Sequence, residues 1–300
     1  MMEKSNNHGG EWTGDNLVFI VGSPRSGTTW LQRLLATHPR VQTGQESRLF
    51  NYVGPQLRLW REDMASATVI GRSGTGMACY LTEEEFFAIQ KKYLALLLEP
   101  MFRYLQPGQV FLEKTPGHAK FIPEIVQLLP AAKIIHIVRD PHDVVASMLA
   151  ASKTWGSGWA PRGVKRALWV WHQHVDQARK AGAQLSPAQF LEIGYKDLVA
   201  SPETRLRTVI NFLQLDWTDA EIAAAVKANA AGELRQGKGT QIPVRGALAK
   251  EPNSVVQEPK DFVRKAKPGS WQQDLKWVER WKLERYLRQL EKEFPGSVKK

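Results

Sequence analysis

Cysteine is nearly absent from this chain. Cys79 is the single thiol in 300 residues, which excludes an intrachain disulfide and fits a reducing compartment. Beside Met77 and Tyr80 it reads as apolar filler rather than as a nucleophile. A membrane-spanning run is also lacking. The longest apolar stretch, residues 93–98 continuing to Met101 and Phe102, is broken by Glu99 and Pro100 and is too short to cross a bilayer. Residues 1–15 are polar and rich in Gly and Asn, without the apolar core of a signal peptide. The expectation is a cytoplasmic protein with a flexible tail over 1–15 and one domain over 16–300. Internal repeats and low-complexity runs are missing too, which excludes a solenoid. Acidic residues are the minority, 30 against 41 Lys and Arg, and the net charge is +11. Such a balance calls for an anionic partner. The basic residues are scattered and no nucleic-acid motif is present, so a small polyanion is expected, with neither nucleic acid nor a membrane span.

What the chain does have is a concentrated signal over residues 16–40. A β-branched apolar run over 17–21 predicts a buried strand. Gly22-Ser-Pro-Arg-Ser-Gly27-Thr-Thr29 follows, and then Trp30, Leu31, Leu34 and Leu35 at helical spacing, stopping before Pro39. Strand, glycine-bounded loop and helix form a phosphate cradle, in which loop amides and the helix N-terminus face an anion. The Walker A pattern requires Lys after the second glycine, where this chain has Thr28. The cation is Arg25, inside the loop, permanently charged and suited to an anionic group held at one orientation.

Further strands are expected at 110–112, 133–138 and 190–193. Helices are expected at 82–98, opened by a Thr82/Glu85 capping box, at about 119–129, after Asp140, at about 163–180, at 201–213 and at the C-terminus, where Leu275, Val278, Leu283, Leu287 and Leu290 recur. Residues 58–75 read as loop or short helices, 152–162 as a Gly- and Trp-rich loop, and 230–268 as a long mobile loop that orders on binding. Strands alternating with helices predict an α/β fold, a P-loop-like three-layer sandwich with a central parallel sheet flanked by helices. The first loop, Lys114, Arg139 and the turn after Ile193 then share the carboxyl ends of the strands, where such sheets bind ligands. Arg139 and Ser147, eight residues apart, can present one helix face to a single phosphate. Read as residues alone, Arg139 could instead pair with Asp143, and Tyr195 could be plain core.

Pro24-Arg-Ser-Gly-Thr-Thr29-Trp30 resembles the 5′-phosphosulfate loop of sulfotransferases that use 3′-phosphoadenosine 5′-phosphosulfate (PAPS) and release adenosine 3′,5′-bisphosphate. Arg139-Asp-Pro with Ser147 resembles the family's 3′-phosphate site, Tyr195-Lys-Asp-Leu198 its adenine-contacting turn, and Arg264-Lys265 within the segment to Trp271 its late 3′-phosphate segment, with Ala266 in place of Gly and Ser270 in place of Asp. The resemblance implies that Arg25, Ser26, Gly27, Thr28, Thr29, Trp30, Arg139, Ser147, Tyr195, Arg264 and Lys265 bind the cofactor, and that no metal is required. The loop Arg, the His-Pro after it and Gly44-Gln-Glu-Ser-Arg48 are similar to the protein-tyrosine sulfotransferase branch. That likeness implies Glu46 as the base and Lys114, with Arg25, on the leaving phosphate. His118 is the competing base, by analogy with the cytosolic branch, and Glu46 could instead pair with Arg48. The expected acceptor is a small metabolite alcohol, phenol or amine, as in secondary metabolism, with walls drawn from Trp155, Trp159 and residues 51–77. The alternative is a P-loop kinase or nucleotide hydrolase, with Asp140 at a strand end as a metal-holding residue.

Overall fold

The computed structural model describes residues 13–70, 76–249, 254–255, 258–259, 262–263, 267–296 and 298. The elements run β1 (Leu17–Gly22), α1 (Thr28–Leu35), β2 (Val41–Thr43), α2 (Leu49–Ile70), α3 (Glu83–Phe102), β3 (Val110–Lys114), α4 (Ile122–Leu128), β4 (Lys133–Val138), α5 (Pro141–Ser152), α6 (Val164–Gly182), β5 (Phe190–Gly194), α7 (Tyr195–Ala200), α8 (Pro202–Leu213), α9 (Asp219–Ala228), α10 (Ala231–Arg235), α11 (Trp271–Asp274) and α12 (Trp277–Glu293).

The five strands form one sheet in the order β2-β3-β1-β4-β5, and every adjacent pair is parallel. Side chains alternate across a strand, so β1 feeds two layers at once. Leu17, Phe19 and Val21 pack with α2, α3 and α4, while Val18 and Ile20 face α1, α8 and α9. A third apolar group joins α5, α6 and α12. Both faces are therefore covered, as parallel sheets require, and the α/β three-layer architecture is as expected. Truncating a buried leucine in these layers to alanine costs about 2–5 kcal/mol. β1 is also where the sheet order reverses, with β3 on one side and β4 on the other. Its carboxyl end is the topological switch point at which ligands bind in open α/β sheets.

Several elements differ from the sequence expectation. Residues 58–70 belong to α2, a helix of 22 residues that tolerates Pro55 inside it. Tertiary contacts hold it. Arg58 and Arg61 both reach Glu124 Oε1, and Trp60 stacks on Phe86 with ring centroids 4.2 Å apart. The edge strand β2 is three residues long, too short to show a period, and is fixed by Thr43 Oγ1 donating to Leu112 O at 2.6 Å. The helix expected at 119–129 divides into a 3-10 turn, Pro116–Lys120, and α4. Within 230–268 lie α10 and an antiparallel bridge between Pro243 and Val255, so part of the expected mobile loop has defined structure. α12 begins at Trp277, and Val278 faces outward rather than into the core. Cys79 is exposed rather than filler. Among the described residues, no helix is long and apolar enough to cross a membrane.

Candidate functional site

The carboxyl ends of the strands converge as their sequence positions implied. The first loop leaves β1 through Gly22, where an added Cβ would lie 2.6 Å from Ile137 O. Arg25 (φ +73°) and Gly27 (φ +99°) both adopt left-handed backbone. For a non-glycine residue this costs on the order of 1 kcal/mol and is characteristic of functional loops. Gly27 has no alternative, because a Cβ there would sit 2.5 Å from the Tyr195 ring. The reversal leaves Thr28 and Thr29 opening α1.

Arg25 extends across the site. Its Nε donates to Ser147 Oγ at 3.0 Å and its Nη2 to Phe262 O at 2.7 Å. The guanidinium lies 5.1 Å from the Trp155 ring and 4.9 Å from that of Phe262. Arg139, one residue past β4, donates from Nη1 to Arg25 O at 3.0 Å and lies 4.5 Å over the Tyr195 ring. It is 4.0 Å from Asp143, a loose approach compared with that stacking. Tyr195 opens α7 beneath this cation, edge-on to Trp30. Burial raises its phenol pKa against the opposing pull of Arg139. Tyr195 is therefore both core and cleft wall. Trp30 Nε1 donates to Asn229 O at 3.0 Å, which joins α1 to the end of α9.

These groups enclose a cleft of about 320 Å³ whose lining joins the cations and hydroxyls of Arg25, Thr28, Thr29, Arg139 and Ser147 to an apolar wall that includes Trp30 and Leu234. Its composition suits a ligand that is anionic and carries an apolar ring. Ser26 Oγ, Arg139 Nε and Ser270 Oγ are buried without hydrogen-bond partners among the described residues. Two of these residues, Arg139 and Ser270, line the cleft. Arg264 and Lys265 lie outside the described residues, although Phe262 and Val263 just before them are part of the wall.

Glu46 and Lys114 meet directly. Lys114 Nζ donates to Glu46 Oε1 at 2.6 Å, with the lysine almost buried and the Glu46 side chain 41% exposed. This is the ion pair Glu46 makes, in place of the pairing with Arg48 that its sequence neighbourhood allowed. Lys114 stands opposite Ile20 in the sheet register, two residues before Gly22, so the pair borders the first loop.

His118 does not belong to the site, which corrects its candidacy as a base. It is fully buried and packed edge-on against Phe19 and Phe50. Its Nε2 accepts the Phe50 N–H at 3.1 Å, and Nδ1 lies 2.9 Å from Glu113 Oε2. Neither nitrogen is free to take an acceptor's proton. Glu113 is a connection that sequence reading missed. Its Oε1 accepts from Ser47 Oγ and Thr115 Oγ1, both at 2.7 Å, and so fixes the backbone next to Glu46. Burial would raise the Glu113 pKa, but His118 and the two hydroxyls outweigh it and hold the group well below the ordinary carboxylate range. A glutamate directly after the apolar run over 110–112 was its available signal. Arg33 and Asp143 were missed likewise. Both are buried charges, Arg33 lining the cleft beside an ion pair with Glu258 at 3.0 Å. Trp155 and Trp159 adjoin each other at 5.6 Å, and Trp155 touches Phe262 at 5.2 Å, beside Arg25.

The model of the sulfotransferase family matches residues 17–219, more than half of the chain. Protein-tyrosine sulfotransferase 1 of Danio rerio is 28% identical over 204 residues, covering 68% of this chain and 54% of that protein. The human protein-tyrosine sulfotransferase 1 is 26% identical over 201 residues, covering 67% and 52%. The chain thus spans about half the length of the curated relatives it matches. Among solved structures, mouse sulfotransferase SULT7A1 complexed with PAP is similar with a TM-score of 0.58 at 16% identity, over 94% of this chain and 87% of that one. The sulfotransferase domain from the curacin biosynthetic pathway gives 0.55 at 20%, over 91% and 96%. These two speak to the fold alone. With the phosphate-cradle loop, the central parallel sheet and the match over 17–219 all in agreement, the chain belongs to the sulfotransferase family.

Proposed function

We propose that the protein is a PAPS-dependent sulfotransferase acting on a hydroxyl or amine of a small molecule. The observation that carries this reading is the single cleft in which the Arg25 loop, Arg139, Ser147, Tyr195 and Trp30 meet. Its cations suit a nucleotide with phosphate at both ends, and its aromatic wall suits the base between them. Ser26, Gly27, Thr28 and Thr29 complete the cradle, and Phe262, Val263 and Ser270 close its side. The buried polar atoms of Arg139 and Ser270, which have no hydrogen-bond partners among the described residues, fit a ligand that supplies the missing hydrogen bonds. When bound, PAPS supplies a sulfuryl group on its 5′-phosphate.

The residues then divide the work. Arg25 and Lys114 neutralise charge on the leaving phosphate oxygen, as preorganised donors do in a water-poor site. Glu46 receives the acceptor's proton as the acceptor oxygen or nitrogen bonds to sulfur and the sulfur–phosphate oxygen bond breaks. The Glu46–Lys114 ion pair at 2.6 Å, beside the first loop, supports assigning both side chains to one reaction centre. The curated relatives, named as protein-tyrosine sulfotransferases, support a second acceptor class, the phenol of a peptide tyrosine, and both classes share this chemistry. Turnover of labelled PAPS in EDTA against a panel of phenols, alcohols, amines and tyrosine peptides tests the proposal. Sulfated product and adenosine 3′,5′-bisphosphate in equal amounts support it. Complete loss of activity in EDTA, with phosphoryl transfer restored by Mg²⁺, would favour a kinase or hydrolase instead.

A further inference from the structure

The turn before α11 holds a hydroxyl for which the cofactor reading above names no particular group of the nucleotide. Ser270 is almost fully buried and lines the same cleft as Arg139 and Ser147. Its Oγ has no hydrogen-bond partner among the described residues. The turn is held from below by Asp143. Asp143 Oδ2 accepts the Gly269 N–H at 2.8 Å and Oδ1 accepts the Trp271 N–H at 3.3 Å, so both oxygens engage the amides on either side of Ser270. Gly269 supplies the reversal with φ +79°. Asp143 itself is 2% exposed and sits on the first turn of α5, four residues after Arg139.

A buried carboxylate 4.0 Å from Arg139 is unexpected beside a site for phosphate, because it repels the anion that the arginine attracts. The two amides account for it. They bind the carboxylate to the turn and set Ser270 against the cleft wall. We infer that Ser270 Oγ donates a hydrogen bond to the phosphate that Arg139 faces, and that Asp143 is the positioning residue that places it there. The inference rests on the nucleotide reading, in which that group is the 3′-phosphate of PAPS. It adds a neutral donor from the C-terminal segment to the cations Arg139, just past β4, and Arg25 of the first loop. A hydroxyl suits the position better than the acidic residue that the family resemblance places there, since a second carboxylate would add repulsion.

The test is calorimetric titration with two probes, adenosine 3′,5′-bisphosphate and adenosine 5′-monophosphate, on the whole chain. Wild type binds the bisphosphate more tightly. Ser270→Ala reduces bisphosphate affinity roughly 10- to 100-fold, the range for a hydrogen bond to a charged group, and changes monophosphate affinity less than about twofold. Ser270→Ala also leaves the thermal midpoint of the free protein unchanged or higher, because the hydroxyl it removes has no partner among the described residues. Asp143→Asn keeps the size but removes one accepting oxygen together with the repelling charge, so it is read through its coupling to Ser270: the bisphosphate loss caused by Ser270→Ala is smaller in the Asp143→Asn background than in wild type. Combining it with Ser270→Ala adds little further loss. A preference for the bisphosphate retained in full by Ser270→Ala, or an equal loss for both probes, overturns the inference and leaves the nucleotide reading standing. A wild-type chain that binds both probes alike overturns the nucleotide reading itself. A Ser270→Ala loss as large in the Asp143→Asn background as in wild type, with a lowered thermal midpoint for Asp143→Asn, assigns Asp143 a structural role only, against the inference.

Discussion

Gly27→Ala probes the closest approach in the site, between the phosphate loop and the aromatic floor beneath it. Two costs can be worked out separately. The backbone at Gly27 has φ +99° and ψ 11°, and placing an L-residue in left-handed backbone costs about 1–2 kcal/mol. The added methyl would also lie 2.5 and 2.6 Å from Cδ2 and Cε2 of Tyr195, roughly 1 Å inside ordinary contact. Tyr195 cannot simply retreat, since Arg139 stacks on its ring at 4.5 Å and Trp30 meets it edge-on. Overpacking of this kind costs about 1–3 kcal/mol. The sum, about 2–5 kcal/mol, is to be read from urea unfolding monitored by tryptophan fluorescence. The companion Tyr195→Ala removes the clash and leaves the backbone strain. The double variant should therefore be more stable than the sum of the two singles predicts, by about 1–3 kcal/mol. Gly27→Ala within about 0.5 kcal/mol of wild type, or strict additivity in the double variant, would refute the packing argument and with it the geometry of the loop.

Glu46→Gln keeps the shape of the side chain and removes its basicity, so turnover should fall about 10²–10⁴-fold with cofactor affinity little changed, and the acidic limb of the rate profile should disappear. His118→Gln is its control, expected to lower stability while the acidic limb remains, and the opposite pattern would return the base to His118. Stability should also fall in acid through His174, whose pKa is pushed down to about 4 by burial, even though its Nδ1–H donates to Val170 O. The folded value lies below the ordinary 6.5, so this contribution is complete above pH 6.5 and is lost as pH falls from 6.5 towards 4. It amounts to about 3 kcal/mol. Urea midpoints at pH 7 and pH 4.5 should differ more for wild type than for His174→Gln, and an identical pH dependence would show that the buried imidazole is not the titrating group.

The loop, the strands that carry the core and the sites at their ends were legible because each is a local pattern. The run over 17–21, the glycine pair of the loop and the Arg139-Asp-Pro corner specify a strand, a cradle and a capped helix without help from the rest of the chain. Asp140 does cap α5 through the His142 N–H. α2 was misread because Pro55 and a run of mixed polarity hide a helix whose stability comes from Glu124 and Phe86 on other elements. His118 was misread for a related reason. Its sequence position after Lys114 says nothing about which way a 3-10 turn points its side chain, and the turn directs it into the core beside Phe19. Ser147 was expected to act with Arg139 on one helix face. Its partner in the structure is Arg25, 122 residues away in sequence, a pairing that only the meeting of β1 and β4 creates. The same applies to Glu46, whose ion-pair partner Lys114 lies on β3, whereas Arg48 is its neighbour in the connection between β2 and α2.

The account's central claim, that this cleft holds a nucleotide with phosphate at both ends, is tested most directly by Arg139→Ala in paired titrations with adenosine 3′,5′-bisphosphate and adenosine 5′-monophosphate. On this account Arg139 faces the far phosphate, and a charge-assisted contact contributes about 1.5–3 kcal/mol. The variant should therefore lose roughly 10- to 150-fold in affinity for the bisphosphate and little for the monophosphate. Equal losses for the two nucleotides, or no loss for either, would contradict the claim.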